Sequence, residues 1–308
     1  MTQQQILESN WTKTKKAEAL FDLGFTRLQV AELICNGNRG FSYNIWKKWN
    51  ERRTAAPAMP LPINFDFAFT RKFGVEIEFF GPTQNQLSQS FRANNTEVLL
   101  ESYNHQTRPH WKVVTDGSLV GENSRELVSP ILQGTEGLKE LRKACKSLRQ
   151  ANAKVNRTCG VHIHLDANDY SIENFKTLLK NQYFVEQQID KIMPTSRRAN
   201  SNRYCQGFRS EYQTSFFQKI DACQTIHQMT NLFRTRYFKL NIQSFQRHGT
   251  VEFRQHGGST NYLKIKNWIF ICARLVEFSK QNIIITDINQ ILDENLQEYI
   301  EDRELALA

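Results

Sequence analysis

The chain has 308 residues, 40% of them hydrophobic and 21 of them Phe, with a formal net charge of +9. That is enough apolar material to exclude a disordered chain, and enough length for one large domain or two. The basic surplus favours anionic partners such as nucleic acid or nucleotides and is silent about fold.

Cysteines stand at 35, 145, 159, 205, 223 and 272 with no C-x-x-C pair, so neither a disulfide framework nor a structural zinc site is expected. Residues 1–16 lack the apolar stretch of a signal peptide, and no run approaches the length of a membrane span. The expectation is a reduced, cytoplasmic protein with no membrane partner.

In chain order, residues 12–23 carry Ala17, Leu20, Phe21 and Leu23 at helical spacing. Thr26 caps a second helix, with Gln29 in the capping-box position and Leu28, Val30, Ala31, Leu33 and Ile34 on its apolar side. After the break at 36–40, Ser42 is expected to cap a third helix whose Ile45, Trp46 and Trp49 pack inward while Lys47, Lys48, Arg52 and Arg53 face out. Three short helices with a basic third one resemble a helix-turn-helix module, so residues 1–54 are expected to form a small all-α domain. DNA is its candidate partner, met by Lys47, Lys48, Arg52 and Arg53; protein binding is the plain alternative. Residues 55–70 begin proline-rich and read as a stiff linker. A second domain then fills 71–308.

That domain interleaves its elements. Strands are expected at 72–80, at WKVVT running into the Asp116-Gly117 turn, at RELVSP, at CGVHIHLDA, at NLFRTRYFKLNI and at GTVEFRQHG. Helices are expected at 135–152, from the Ser171 cap to about 193, at 261–280 and in the acidic tail; FRANNTEVLLESY reads as helical. Residues 194–210 read as a basic loop. Short strands that are polar on one side point to an α+β domain: an antiparallel-rich sheet with helices packed on one side.

Three strands carry the chemistry. Glu76-x-Glu78, His162-x-His164 and Glu252-x-Arg254 each sit in an apolar run, and residues two apart project from the same side of a strand. Val75, Ile77, Phe79, Val161, Ile163, Val251 and Phe253 then face the other way. If the three strands share a sheet, one side of it is a cluster of carboxylates, imidazoles and a guanidinium, which is costly unless it holds metal ions or anionic ligands. Paired carboxylates about 7 Å apart suit one or two hard cations. Imidazoles can ligate a metal or donate to phosphate. Arg254 can neutralise a transferring phosphoryl group. Asp116 and Glu126 are further acidic candidates, and Lys239, Asn241, Arg197 and Arg203 further basic or polar ones. Cys159 reads as a packing residue rather than a nucleophile.

The order of these pieces resembles the amidoligase family of carboxylate–amine ligases, related to glutamine synthetase and glutamate–cysteine ligase. The matching segments are GVEIEF, W-x-V-x-x-DGSL, ELVSPIL-x-G, VN-x-x-CGVHIHLD, a long helix ending E-x-x-ID, YC, LN and GTVEFRQHGG, over about residues 71–280. The resemblance implies a glutamine synthetase-like ligase fold with ATP and Mg2+ as cofactors. It also implies an acyl-phosphate route to an amide between a carboxylate and an amine of small-molecule, peptide or protein origin. Carried over, Glu76, Glu78, Glu126, Glu252 and His162 would ligate metal. His162, Lys239, Asn241 and Arg254 would bind the nucleotide, and Asp116, His164 and Arg254 would be catalytic. No glycine-rich phosphate loop is needed, and none is present. Two rivals stay open at this point: a metal-dependent hydrolase or nuclease, and a DNA-binding regulator with a nucleotide-sensing domain.

Overall fold

The structure, a computed structural model, describes residues 1–53, 67–208 and 215–307, with the side chains of 51–53 excepted. Most of the expected linker (55–66) and the side chains of Arg52 and Arg53 therefore lie outside the described residues. The chain divides into two compact units, Met1–Pro62 with Gln297–Ala308, and Ile63–Leu296.

The first unit holds helices α1 (Gln3–Glu8), α2 (Lys13–Asp22), α3 (Arg27–Ile34) and α4 (Arg39–Arg53). Thr2, Thr12 and Thr26 cap the first three, the outer two with complete capping boxes that satisfy orphan N–H groups. Ile6, Ala17, Leu20, Phe21, Val30, Cys35 and Ile45 form its core. Two features differ from the three-helix expectation. The segment before residue 12 is itself helical and buries Ile6. The last of these helices starts three residues earlier than Ser42: Asn38 Oδ1 accepts from the Phe41 N–H, and Ser42 lies inside the helix, its hydroxyl donating to the Arg27 carbonyl at 2.7 Å. The acidic tail contributes as well. Buried Arg27 pairs with Glu301, and with Asp302 at 3.5 Å, and its guanidinium lies 4.9 Å over the Trp46 ring. Of the expected DNA-facing residues with described side chains, Lys48 is exposed and Lys47 half-buried.

The second unit is built on a sheet of β1 (Lys72–Phe79), β2 (Val98–Leu100), β3 (Trp111–Thr115), β4 (Arg125–Val128), β5 (Leu132–Gln133), β6 (Gly160–Asp166), β7 (Leu240–Asn241) and β8 (Thr250–Gly257). The strand order is β2-β3-β4-β1-β6-β8-β7, with β5 pairing β1 off this path. Only the β2/β3 pair is parallel among these pairings. The class is thus mixed, with a mostly antiparallel sheet. On the apolar side run α5 (Gln84–Ala93), α6 (Gly134–Gln150), α7 (Ile172–Lys191) and α11 (Tyr262–Ser279); α11 packs on β6, α6 and α7, and α5 on α6. α11 buries Ile265, Trp268, Ile269, Ile271, Cys272, Leu275, Val276 and Phe278, nearly all of its circumference, as a central core helix must. Each such side chain contributes about 1.5–3 kcal/mol by leaving water.

Two segments differ from expectation. FRANNTEVLLESY is not one helix. α5 stops at Ala93, Asn95 takes φ +52°, and Val98–Leu100 pairs with β3. Likewise NLFRTRYFKLNI is not a long strand: α8 (Phe216–Ala222) and α9 (Ile226–Asn231) precede a turn, Phe238 makes an isolated bridge to Gln206, and Leu240–Asn241 pairs with β8 before α10 (Ser244–His248). Phe233 and Phe238 of that stretch join an aromatic cluster instead: the Phe208 ring lies 5.2–5.5 Å from those of Phe216, Phe233 and Phe238. The end of the expected linker is packed too, with Phe67 and Phe69 edge-on to Phe270 at 6.3 and 5.0 Å. α12 (Glu294–Leu307) ends the described chain. No helix among the described residues is long and apolar enough to cross a membrane.

Candidate active site

Register decides which polar residues meet. In β1, Glu76 stands opposite His162 of β6 and Glu78 opposite Glu126 of β4. In β8, Glu252 stands opposite His164 on one side and Asn241 on the other. Because alternate residues share a face, these side chains line one cleft of about 1240 Å³. A β-bulge shapes its far edge. Val161 pairs with His256 but Ile163 with Phe253, so His162 faces two residues of β8. The extra residue sends His256 to the apolar side, 5.8 Å from the Trp268 ring, while Glu252 and Arg254 keep the cleft side.

The floor is a dense charge network. His162 donates from Nδ1 to Glu76 Oε2 at 3.0 Å, lies 3.6 Å from Glu252 Oε1, and turns Nε2 to Glu78 Oε1 at 3.7 Å. Glu76, His162 and Glu252 offer ligand atoms within 4.8 Å of one another, and so do Glu78, Glu126 and His162. Buried His164 Nε2 lies 3.3 Å from Glu76 Oε1 without a well-directed hydrogen bond. Arg254 pairs with Glu252, while Asn241 donates to the other Glu252 oxygen at 2.6 Å. Arg197, almost wholly buried, stands 3.9 Å from Glu78 and donates to the Arg254 and Thr158 carbonyls. It comes so close because residue 160 is glycine: a Cβ there would sit 2.8 Å from Arg197 Nη2. The Gly160 N–H in turn donates to Glu78.

These contacts set the charges. Burial would raise the Glu76 carboxyl, but His164 and His162 hold it well below the usual carboxylate range. Burial acts the same way on Glu252 and is overcome by Arg254 and His164. Burial would lower His164, yet Glu76 and Glu252 raise it. Burial raises the Glu126 carboxyl, and the Glu76, Glu78 and Asp116 carboxylates push it further up. Four carboxylates around one imidazole, one of them forced toward its neutral form, suit hard divalent cations held through oxygen.

Residues 70–276 match the family model described as "Putative amidoligase enzyme". The chain belongs to the amidoligase family. No curated protein matches the chain. Among solved structures it is similar to a bifunctional glutathione synthetase from Pasteurella multocida, at 15% identity and a TM-score of 0.37. That alignment covers 78% of this chain and 41% of that one, so the amidoligase chain spans less than half of that protein's length.

Within this amidoligase cleft the structure brings together Glu76, Glu78, Asp116, Glu126, His162, His164, Arg197, Asn241, Glu252 and Arg254. Lys239 is not among them. The paired strand β7 is only two residues long, so the alternation that places Asn241 on the cleft side does not extend back to Lys239. Its ammonium is buried against α7, 2.6 Å from Asp190 and 3.7 Å from Glu186. Nucleotide binding by Lys239 is therefore corrected to a structural ion pair. Arg203 also misses the cleft lining: it is exposed and donates to the Tyr204 hydroxyl at 2.6 Å. Cys159 is buried and its thiol is pushed up by burial, so it packs rather than attacks.

Sequence reasoning missed several lining groups. Lys112 rises from the cleft side of β3 and is consumed by the 101–110 loop, donating to the Asn104 side chain at 2.8 Å and the Gln106 carbonyl at 2.7 Å. That loop, the RTRY run and α10 add His105, Arg236, Tyr237, Arg247 and His248. The density of basic residues in RTRYFK and QRH was the available signal; reading the first as a strand hid it.

Proposed function

We propose that this protein is an ATP- and Mg2+-dependent ligase that joins a carboxylate to an amine through an acyl phosphate, on the floor of a glutamine synthetase-like sheet. The convergence of Glu76, Glu78, Glu126, Glu252 and His162 into two ligand groups sharing one imidazole carries this reading. Those five would hold the divalent cations. Mg·ATP would supply the phosphoryl group that converts the acid's carboxylate into an acyl phosphate; the amine displaces phosphate from it, leaving amide, ADP and phosphate.

The chain's own groups supply position and charge, which is most of what phosphoryl transfer requires. Arg254 is held between Glu252 and the Tyr204 carbonyl, and Arg197 lies beside Glu78. Both are fixed cations beside the metal ligands, placed to neutralise charge on the phosphoryl oxygens without reorganising. His164, raised by its acidic neighbours, adds a proton donor. Asn241 locks the orientation of Glu252. Asp116 follows β3 on the cleft lining, its Oδ1 accepting from the Ser118 N–H at 2.7 Å, and is placed to take the proton the amine loses.

The test is ADP release with Mg2+ and ATP against a panel of acids and amines, products being read by mass spectrometry. Turnover that needs both an acid and an amine, and yields a condensed product, is expected. Metal-dependent phosphodiester cleavage without ATP would replace this reading with a nuclease.

A further inference from the structure

Beyond the metal-binding floor, the cleft changes sign. Arg236 comes from the turn before β7, Arg247 and His248 from α10, and His105 from the 101–110 loop, and all four line the same cavity. Arg236 and Arg247 have no carboxylate partner within ion-pair distance among the described residues. Like charges delivered to one place by separate elements repel each other, an arrangement that suits an anionic guest. His105 is lowered by burial and by Arg247 and Arg236 nearby, and His248 by burial, His164 and Arg247 among others, which marks the four as neighbours.

This basic end adjoins the floor by two links. The Tyr237 ring carries Arg236 at 5.6 Å and Arg254 at 5.8 Å, so one aromatic plate bears a cation from each region. The His248 ring lies edge-on to His164 at 6.0 Å, and His164 reaches Glu76. The 101–110 loop is held in place as well: Lys112 clamps it, Arg108 Nε donates to Glu101 at 3.0 Å, and the Tyr103 hydroxyl meets His105 Nε2 at 3.2 Å. A group bound at the basic end is therefore a short distance from one reacting beside Arg254. Among the described residues no carboxylate is paired with either arginine of the basic end, whereas phosphates that travel with Mg2+ belong over the acidic floor.

Resting on the ligase reading above, we infer that Arg236 and Arg247, with His105 and His248 beside them, bind a second carboxylate of the acid being activated, so that the acid substrate is a dicarboxylate. Planar guanidinium groups match a carboxylate through paired N–H donors, and neutral imidazoles can add one donor each. The site then selects its substrate by charge at the end remote from the reaction.

Glutarate and pentanoate, equal in length and differing by one carboxylate, separate this from simple shape recognition. Each is titrated calorimetrically into the full chain, alone and with Mg2+ and a non-hydrolysable ATP analogue. Glutarate should bind at least about tenfold tighter than pentanoate, one well-made charged contact. Arg236→Ala and Arg247→Ala should erase most of that preference, and Arg247→Lys should restore part of it. Both arginines are exposed, so unchanged melting is expected and is checked in parallel. Affinity for the Mg2+-analogue pair should be unaltered in the variants. Equal binding of the two acids, or a preference that survives both alanines, overturns the inference. So does loss of analogue affinity, or competition by inorganic phosphate tighter than glutarate, either of which would assign the cluster to nucleotide phosphates. If the analogue fails to bind the unaltered chain while the glutarate preference holds, the ATP-ligase reading falls and the dicarboxylate site stands.

Discussion

On the helix-covered side of the sheet, Phe73, Val75, Ile77 and Phe79 of β1 and Val161, Ile163 and Leu165 of β6 are at most 2% exposed and meet apolar side chains. One residue along on the same strands, Glu76, Glu78, His162 and His164 meet each other. The two sides share backbone, hydrogen bonds and register, so what differs is the side-chain chemistry alone. The apolar side gains free energy by leaving water. The cleft side gives some of it back by crowding carboxylates, a cost that a protein keeps where a ligand repays it.

The comparison breaks most sharply if charge can be removed from the cleft without consequence. Glu78→Gln keeps the shape and an acceptor for the Gly160 N–H. It should weaken Mn2+ binding, read by calorimetry, by at least about 100-fold, with ATP turnover falling alongside. Its melting temperature should hold or rise, because fewer like charges are buried. Unchanged Mn2+ affinity would show that the acidic side is not a cation site.

The reverse pattern is expected next door. Ile77→Ala opens a cavity under the sheet and should cost about 2–5 kcal/mol in denaturant unfolding. Mn2+ affinity of the folded protein should stay within a few-fold of the original.

Lys239 sharpens the comparison because sequence reading put it on the wrong side. Lys239→Met leaves Asp190 and Glu186 without their buried cation. A loss of about 3–5 kcal/mol is expected, as for breaking a buried pair, with nucleotide affinity intact. Lost nucleotide affinity at full stability would return Lys239 to the cleft.

The smallest effect is expected at the ends of β1 and β6, where Arg71 grips Asp169 at 2.7 and 3.0 Å and Lys280 adds a contact at 2.6 Å. The Arg71 hydrogen bonds lower the Asp169 carboxyl to about 2. A depressed carboxyl stabilises the fold above its unfolded pKa of about 3.9, and the contribution fades as pH falls toward 2. Asp169→Asn should therefore destabilise at pH 6 and much less at pH 2. The Asp169 side chain is 42% exposed, so screening keeps the effect at or below about 1 kcal/mol. An equal loss at both pH values would attribute the effect to packing.

The strands that hold the floor were legible because each alternates cleanly: FGVEIEFF, CGVHIHLD and GTVEFRQH place every second residue on one side, whatever their neighbours do. Ser171 and Thr26 likewise announce the starts of their helices through local hydrogen bonds. Ser42 failed the same test because a buried Arg27 carbonyl competed for its hydroxyl. The stretch around 94–105 failed because pairing with β3, a contact distant in sequence, outweighed its helical propensity. The basic end of the cleft was illegible for a related reason. Its residues come from turns and a five-residue helix, which carry no periodicity.

By itself, then, the order of residues determined which side of each strand is polar and which groups can bind a cation, since alternation is a property of the extended chain. Only the tertiary structure decided that Glu76 faces His162 and Glu78 faces Glu126, that one extra residue in β8 turns His256 away, and that Lys239 is paired to α7. Register, bulges and the company of a buried charge depend on which strands lie side by side, and local periodicity holds no record of that choice.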